Sequence, residues 1–221
     1  LDAEWRLNDV MGKIDRIYDQ IWVYGPPDFY DPLVGLDVPP DVRARMSFVG
    51  FLQRRALHEA LSTHRPKGDY ILVTTGGGGD GADLVRDVMN AYRHDPSLTH
   101  RALVVLGPYM PGEQRAEFLR QGQSIPQIEV IEFDTRMEEL IASSKAVVAM
   151  GGYNTYCEIL SFDKPALIVP RTMPREEQLL RSTRAAELGL IDMLLPEQAA
   201  DPARMAAALK ALPMRDAPSR G

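Results

Sequence analysis

The sequence predicts an α/β protein: a doubly wound parallel sheet of about six strands with helices on both faces. From residue 70 onward, short apolar runs alternate with amphipathic helical segments. The runs ILVTT, ALVVL, AVVAM and ALIVP contain no polar alternation, as strands covered on both faces require. Glycine clusters stand directly after two of these strands, where the chain turns into a helix.

Taken in order, the apolar residues Leu7, Val10, Met11, Ile14, Ile17, Tyr18 and Ile21 recur at helical spacing and predict an amphipathic helix over 5–21. A short strand over 21–24 follows. Proline punctuates 25–41, which reads as a connection. A second short strand is expected over 47–52, then a polar segment, 53–68, that fits a loop or a short helix. The regular part has strands at 70–74, 102–106, 128–132, 146–150, 166–169 and 192–195. Its helices are expected at 82–92, 112–121, 137–143, 155–162, 176–188 and 202–212.

Composition narrows the function classes. With 221 residues, 45% hydrophobic and 25% charged, the chain has globular proportions, and disorder or fibrous repeats are excluded. A net charge of −6 argues against nucleic acid as a partner, because phosphate backbones are bound through dense Lys/Arg surfaces. The single cysteine, Cys157, cannot form an internal disulfide and is expected to be a small core residue; with it goes an expected cytoplasmic location. His58, His64, His94 and His100 lie in polar segments and are expected at the surface. No apolar run approaches the roughly 20 residues that span a bilayer, which leaves peripheral membrane association open.

In doubly wound sheets ligands bind outside the C-terminal strand ends. Residues 76–81 satisfy G-x-G-x-x-G between a strand and a helix, where glycines let backbone N–H groups approach a phosphate and the helix N-terminus adds partial positive charge. A P-loop would need Lys and Ser/Thr where Ala82 and Asp83 follow Gly81. A dinucleotide site would need an acidic residue ending the second strand, which ends Leu106-Gly107-Pro108. A tight turn without ligand also accounts for the glycines. In the second turn, Gly151-Gly152-Tyr153-Asn154-Thr155, Glu158 stands early in the helix. It can accept hydrogen bonds from two vicinal hydroxyls, or serve as capping-box partner to Thr155 as N-cap. Spacing does not separate these readings.

Together, Gly77-Gly78-Gly79-Asp80-Gly81-Ala82, Gly151 through Glu158 and the strand Lys164-Pro165-Ala166-Leu167-Ile168-Val169-Pro170 resemble the C-terminal half of GT-B glycosyltransferases, whose fold is Rossmann-like, and in particular family 28. Residues 18–25 and the turn Phe29-Tyr30-Asp31-Pro32 also resemble a related bacterial group of predicted glycosyltransferases. The resemblance implies that Gly78, Gly79, Asp80, Gly81, Gly152, Asn154 and Thr155 face the diphosphate of a nucleotide-sugar donor. It places Phe133, Asp134 and Met137 at the base, Glu158 on the ribose hydroxyls, and Arg175, Glu177 and Gln178 at the donor sugar. Arg171 and Arg175 depart from the better-known member of the family and can pair with the diphosphate. Asp80 is a second departure, since a carboxylate beside a diphosphate repels it unless it points away or holds a cation.

The nucleotide sugar, with uridine diphosphate the expected nucleotide, is then a substrate; no cofactor and no metal are expected. Residues 1–50 read as the end of an N-terminal acceptor domain plus linker, and 51–221 as the donor-binding domain. The catalytic base and the acceptor site are expected in the preceding domain, so this chain alone is expected to bind a nucleotide without turnover. Two alternatives stay open: a nucleotide-sugar epimerase or hydrolase of the same architecture, and a non-catalytic donor-binding subunit that works with a partner chain.

Overall fold

Two compact units, Leu1–Leu52 and Gln53–Gly221, make up the computed structural model. It describes residues 2–31, 33, 36–55, 69–173 and 176–220, with side chains from residue 5. In the first unit, helices α1 (Asp2–Leu7) and α2 (Val10–Ile17) replace the single helix expected over 5–21. The interruption lies at Asp9, which takes a left-handed φ of 47° and accepts a hydrogen bond from Arg16 at 2.9 Å. Strand β1 (Ile21–Val23) pairs in parallel with β2 (Met46–Phe48). The second strand is shorter than the expected 47–52; beyond it Gly50 keeps one antiparallel bridge to Gly25. The proline-rich connection ends in a short helix, α3 (Pro40–Ala44), with proline in its first turn, where the missing N–H is harmless.

The second unit carries the sheet. Its strands β3 (Tyr70–Thr74), β4 (Arg101–Val105), β5 (Ile128–Ile131), β6 (Ala146–Ala149), β7 (Ala166–Ile168) and β8 (Asp192–Met193) are all parallel, in the order β5-β4-β3-β6-β7-β8. Counted within this sheet that is 3-2-1-4-5-6, the Rossmann arrangement. The six expected strands all form. Every residue of β3, β6 and β7 is buried, which is why their sequences are apolar throughout except for Thr74 at the end of β3.

Alternate strand residues face opposite layers. Ile71, Val73 and Val104 join one core with α4 (Ala82–His94), α5 (Gly112–Gln123) and α10 (Pro202–Ala211) through Val85, Met89, Phe118, Met205 and Leu209. Tyr70 points the other way and donates its hydroxyl hydrogen to Leu140 O at 2.7 Å, which places α6 (Met137–Ser143) on the second face. Helix α7 (Tyr153–Ser161) packs beside α6, and α8 (Glu177–Glu187) and a single turn, α9 (Pro196–Ala199), complete the unit. Cys157 is fully buried in α7. His94 is exposed and His100 half-buried, while His58 and His64 lie outside the described residues. Among the described residues no helix is long and apolar enough to cross a membrane.

Asp201 starts α10: its Oδ1 accepts the N–H groups of Ala203 at 2.9 Å and Arg204 at 3.4 Å, meeting two donors that have no partner inside the helix. Asp201→Ala is therefore expected to destabilise the protein by about 1 kcal/mol, read as a melting-temperature drop of roughly 2–4 °C.

Candidate functional site

Strands β3 and β6 are neighbours at the centre of the sheet, Thr74 opposite Ala149. From β3 the chain proceeds toward β4 and β5, from β6 toward β7 and β8, so the loops leaving these two strands diverge and open a crevice at their C-terminal ends. The two glycine turns are those loops.

Packing accounts for part of the first turn. At Gly78 φ is +88°, and a Cβ would lie 2.2 Å from Leu106 O, so the turn after β3 rests backbone on backbone against the loop after β4. The contact is tied by Tyr109 N–H donating to Gly77 O at 2.8 Å and by the Thr75 hydroxyl donating to Leu106 O at 2.6 Å. A Cβ on Gly81 would fall 2.2 Å from Thr75 Cβ. Gly78 and Gly81 are thus buried and sterically fixed, whereas Gly79 and Asp80 are exposed at the mouth of the crevice.

The second turn corrects the capping interpretation. Helix α7 begins at Tyr153 with Gly152 as N-cap, in an extended conformation and without a side-chain cap. Thr155 is consequently the third helical residue, and Glu158 the sixth, in the second turn and away from the capping-box position. Glu158 is half-buried and, among the described residues, its carboxylate has no hydrogen-bond partner, although its backbone O accepts Phe162 N–H at 2.9 Å. Burial pushes its carboxyl up to about 7; the nearby Glu138 carboxylate adds to this and the Arg54 guanidinium opposes it. Arg54 reaches the same helix from a distant stretch of chain. Its Nη2 donates to Asn154 Oδ1 at 2.9 Å and its backbone N–H to Ser161 Oγ at 2.9 Å.

After β5, Phe133 is 48% exposed, Asp134 is buried, and Met137 is the first residue of α6. Asp134 Oδ1 accepts Arg136 N–H at 2.8 Å, so its carboxylate shapes the turn that presents Phe133. Since α6 packs on α7, this loop and Glu158 are linked through Glu138.

After β7, the Arg171 guanidinium joins two elements. Its Nη1 donates to Asp80 Oδ2 and its Nη2 to Glu177 Oε1, each at 2.9 Å, and its backbone N–H donates to Gln178 Oε1 at 3.1 Å. Asp80 is therefore ion-paired with Arg171 across the crevice. Arg175 lies outside the described residues. Arg181, half-buried on α8, donates to Gly151 O at 2.9 Å and stands 5.5 Å from the Tyr153 ring centroid, a cation–π arrangement. A cleft of about 530 Å³ opens here, lined among others by Asp80, Met150, Val169, Arg171 and Met173.

The expected residues thus lie in two clusters at the sheet's C-terminal edge, Asp80-Arg171-Glu177-Gln178 and Asn154-Glu158, the latter joined by Arg54, with Phe133, Asp134 and Met137 on the loop that leads into α6. Arg54 and Arg181 were not foreseen. Arg181 carried a faint signal, four residues after Glu177 on one helix, but Arg54 carried none. Among the described residues, no three His, Cys, Asp or Glu side chains gather as a metal centre would need.

No curated protein matches the sequence. Solved structures that resemble it include CalG4, the calicheamicin glycosyltransferase (21% identity, TM-score 0.60, covering 96% of this chain and 51% of that one). MurG of Acinetobacter baumannii also resembles it (12% identity, TM-score 0.56, covering 95% and 61%), as does the glycosyltransferase VinC in complex with dTDP (18%, 0.55, 96% and 56%). The chain spans about half to three-fifths of the length of these proteins, and at such identities the likeness is one of fold: the sheet and its helices have the architecture of a GT-B C-terminal domain. Residues 70–217 match the family described as glycosyltransferase family 28 C-terminal domain, which covers the sheet, both glycine turns and the helices packed on them. On that match, the chain belongs to glycosyltransferase family 28 through its C-terminal domain.

Proposed function

We propose that this chain is the donor-binding half of a glycosyltransferase that moves a sugar from a nucleoside-diphosphate sugar, with uridine diphosphate the expected nucleotide, to an acceptor hydroxyl. The observation that carries the reading is Glu158, a half-buried carboxylate with no hydrogen-bond partner among the described residues, beside the second glycine turn at the switch point. A carboxylate so placed is satisfied by two vicinal hydroxyls, which a ribose supplies. The N-termini of α4 and α7 both end at the crevice, and their partial positive charges suit a diphosphate, above all as a departing group whose charge grows in the transition state. Exposed Phe133 offers an aromatic face to a base. VinC was solved with dTDP, and a Phytolacca americana enzyme of similar fold, UGT2, with UDP-2-fluoro-glucose; a bound nucleotide in such neighbours supports the same ligand class here. In this reading residues 1–50 close an acceptor-binding domain whose own groups supply the base, and no metal takes part.

The test is a thermal-shift panel of uridine, thymidine, guanosine and adenosine diphosphates with their sugar conjugates. At about tenfold excess over its dissociation constant, the cognate nucleotide is expected to add about 1.4 kcal/mol, a rise of roughly 3–6 °C. A flat panel at millimolar ligand would refute the donor-site reading.

A further inference from the structure

Asp80 poses an electrostatic problem for a diphosphate site, and the structure contains a counter-charge to it. Its carboxylate stands exposed in the first glycine turn, one residue before the cap of α4, and lines the cleft that opens there. We propose that Arg171 is a positioning residue that makes this carboxylate compatible with a diphosphate, so that binding of nucleoside diphosphates depends on Arg171 as long as residue 80 carries its negative charge, while binding of nucleosides does not. The inference rests on the nucleotide-sugar reading above.

The guanidinium is held on two sides, donating to Asp80 and Glu177 at 2.9 Å each, and the residue's backbone N–H donates to Gln178 Oε1 at 3.1 Å. Those two ion pairs engage Nη1 and Nη2 of a group that carries five N–H donors. Arg171 lines the cleft beside Asp80, close enough to offset the carboxylate's charge there. One guanidinium against two carboxylates leaves the cluster at a formal charge of −1, and removing it leaves −2 beside the incoming anion. Among the described lining residues the other arginine, Arg86, is engaged by Asp83 on the same helix. At effective dielectric constants near a protein surface, a charge several ångströms from a diphosphate changes its affinity by about tenfold or more.

Calorimetric titration of the 221-residue chain with uridine, thymidine, guanosine and adenosine diphosphates, each beside its own nucleoside, tests this. Arg171→Ala is expected to weaken the diphosphate bound by the parent roughly tenfold and leave its nucleoside within about twofold. Adding Asp80→Asn to that variant is expected to restore diphosphate affinity to within about threefold of the parent, and Asp80→Asn alone to bind at least as tightly as the parent. Equal losses for nucleoside and diphosphate, or a double variant as weak as Arg171→Ala, overturn the role of Arg171 and leave the nucleotide-sugar reading intact. Should Arg171→Ala not fold, Asp80→Asn decides by itself: a weakening of diphosphate binding in that variant overturns the proposal. A parent that binds none of the four diphosphates removes both readings together.

Discussion

Gly78→Ala is expected to destabilise the protein by about 3 kcal/mol or more, lowering its melting temperature by roughly 6–12 °C. Two effects combine. The left-handed φ of +88° disfavours any L side chain, and the new Cβ would meet backbone: Leu106 O at 2.2 Å and Gly107 Cα at 3.2 Å. Neither neighbour is a flexible side-chain end that can step aside. Leu106 O is already the acceptor of the Thr75 hydroxyl, and Leu106 N–H donates to Ile131 O at 3.1 Å, so retreat of this loop disturbs the ends of three strands. Gly76 is the internal control. Its φ is also positive, at +65°, but a Cβ there meets nothing within 4 Å, so Gly76→Ala is expected to cost only about 1 kcal/mol of conformational strain. Thermal melts followed by circular dichroism separate the two variants; equal losses would mean that the close approach of the two loops contributes nothing to stability.

That contrast also shows why part of this protein was legible in its sequence and part was not. The sheet was legible because every residue of β3, β6 and β7 is buried, so each strand wrote itself as an apolar run without alternation. Helix ends were harder. Thr155 offers a good N-cap side chain, yet Gly152, extended at ψ 145°, caps the helix three residues sooner and leaves Thr155 inside it. The break at Asp9 was hidden for a similar reason: apolar spacing continues through it, while one left-handed residue bonded to Arg16 divides the helix. The glycine turns announced themselves, but not which glycines serve packing. Gly78 and Gly79 are adjacent and identical in sequence, and only the position of the β4 loop distinguishes them. Least legible were the arginines. Arg54 meets Asn154 across 100 residues and Arg171 meets Asp80 across 91, contacts set by strand order and absent from any local pattern.

Replacing Glu158 with Gln is expected to move stability and ligand affinity in opposite directions. Burial raises the carboxyl from its ordinary 4.5 to about 7, so between these values the folded protein holds a proton that the unfolded chain has released. Stability from this group is therefore fully present below about pH 4.5, and it is lost as the pH rises toward and through 7. Gln has the shape of the protonated acid and does not ionise, so Glu158→Gln is expected to melt higher than the parent at pH 8 and equal to it near pH 4.5. Binding depends on the other protonation state. An ionised carboxylate accepts from both hydroxyls of a ribose, whereas the amide keeps one acceptor and presents an NH₂ group where the second should be. The loss of a charge-assisted hydrogen bond predicts nucleotide affinity about 10- to 100-fold weaker in the variant. For the same reason parent affinity should rise more steeply than the variant's between pH 6 and pH 8, as the Glu158 carboxylate forms, the ionisation of the ligand's own phosphate being common to both. A merely structural Glu158 would give the stability change alone, so a variant that binds nucleotide as the parent does across this range would remove Glu158 from the ribose site.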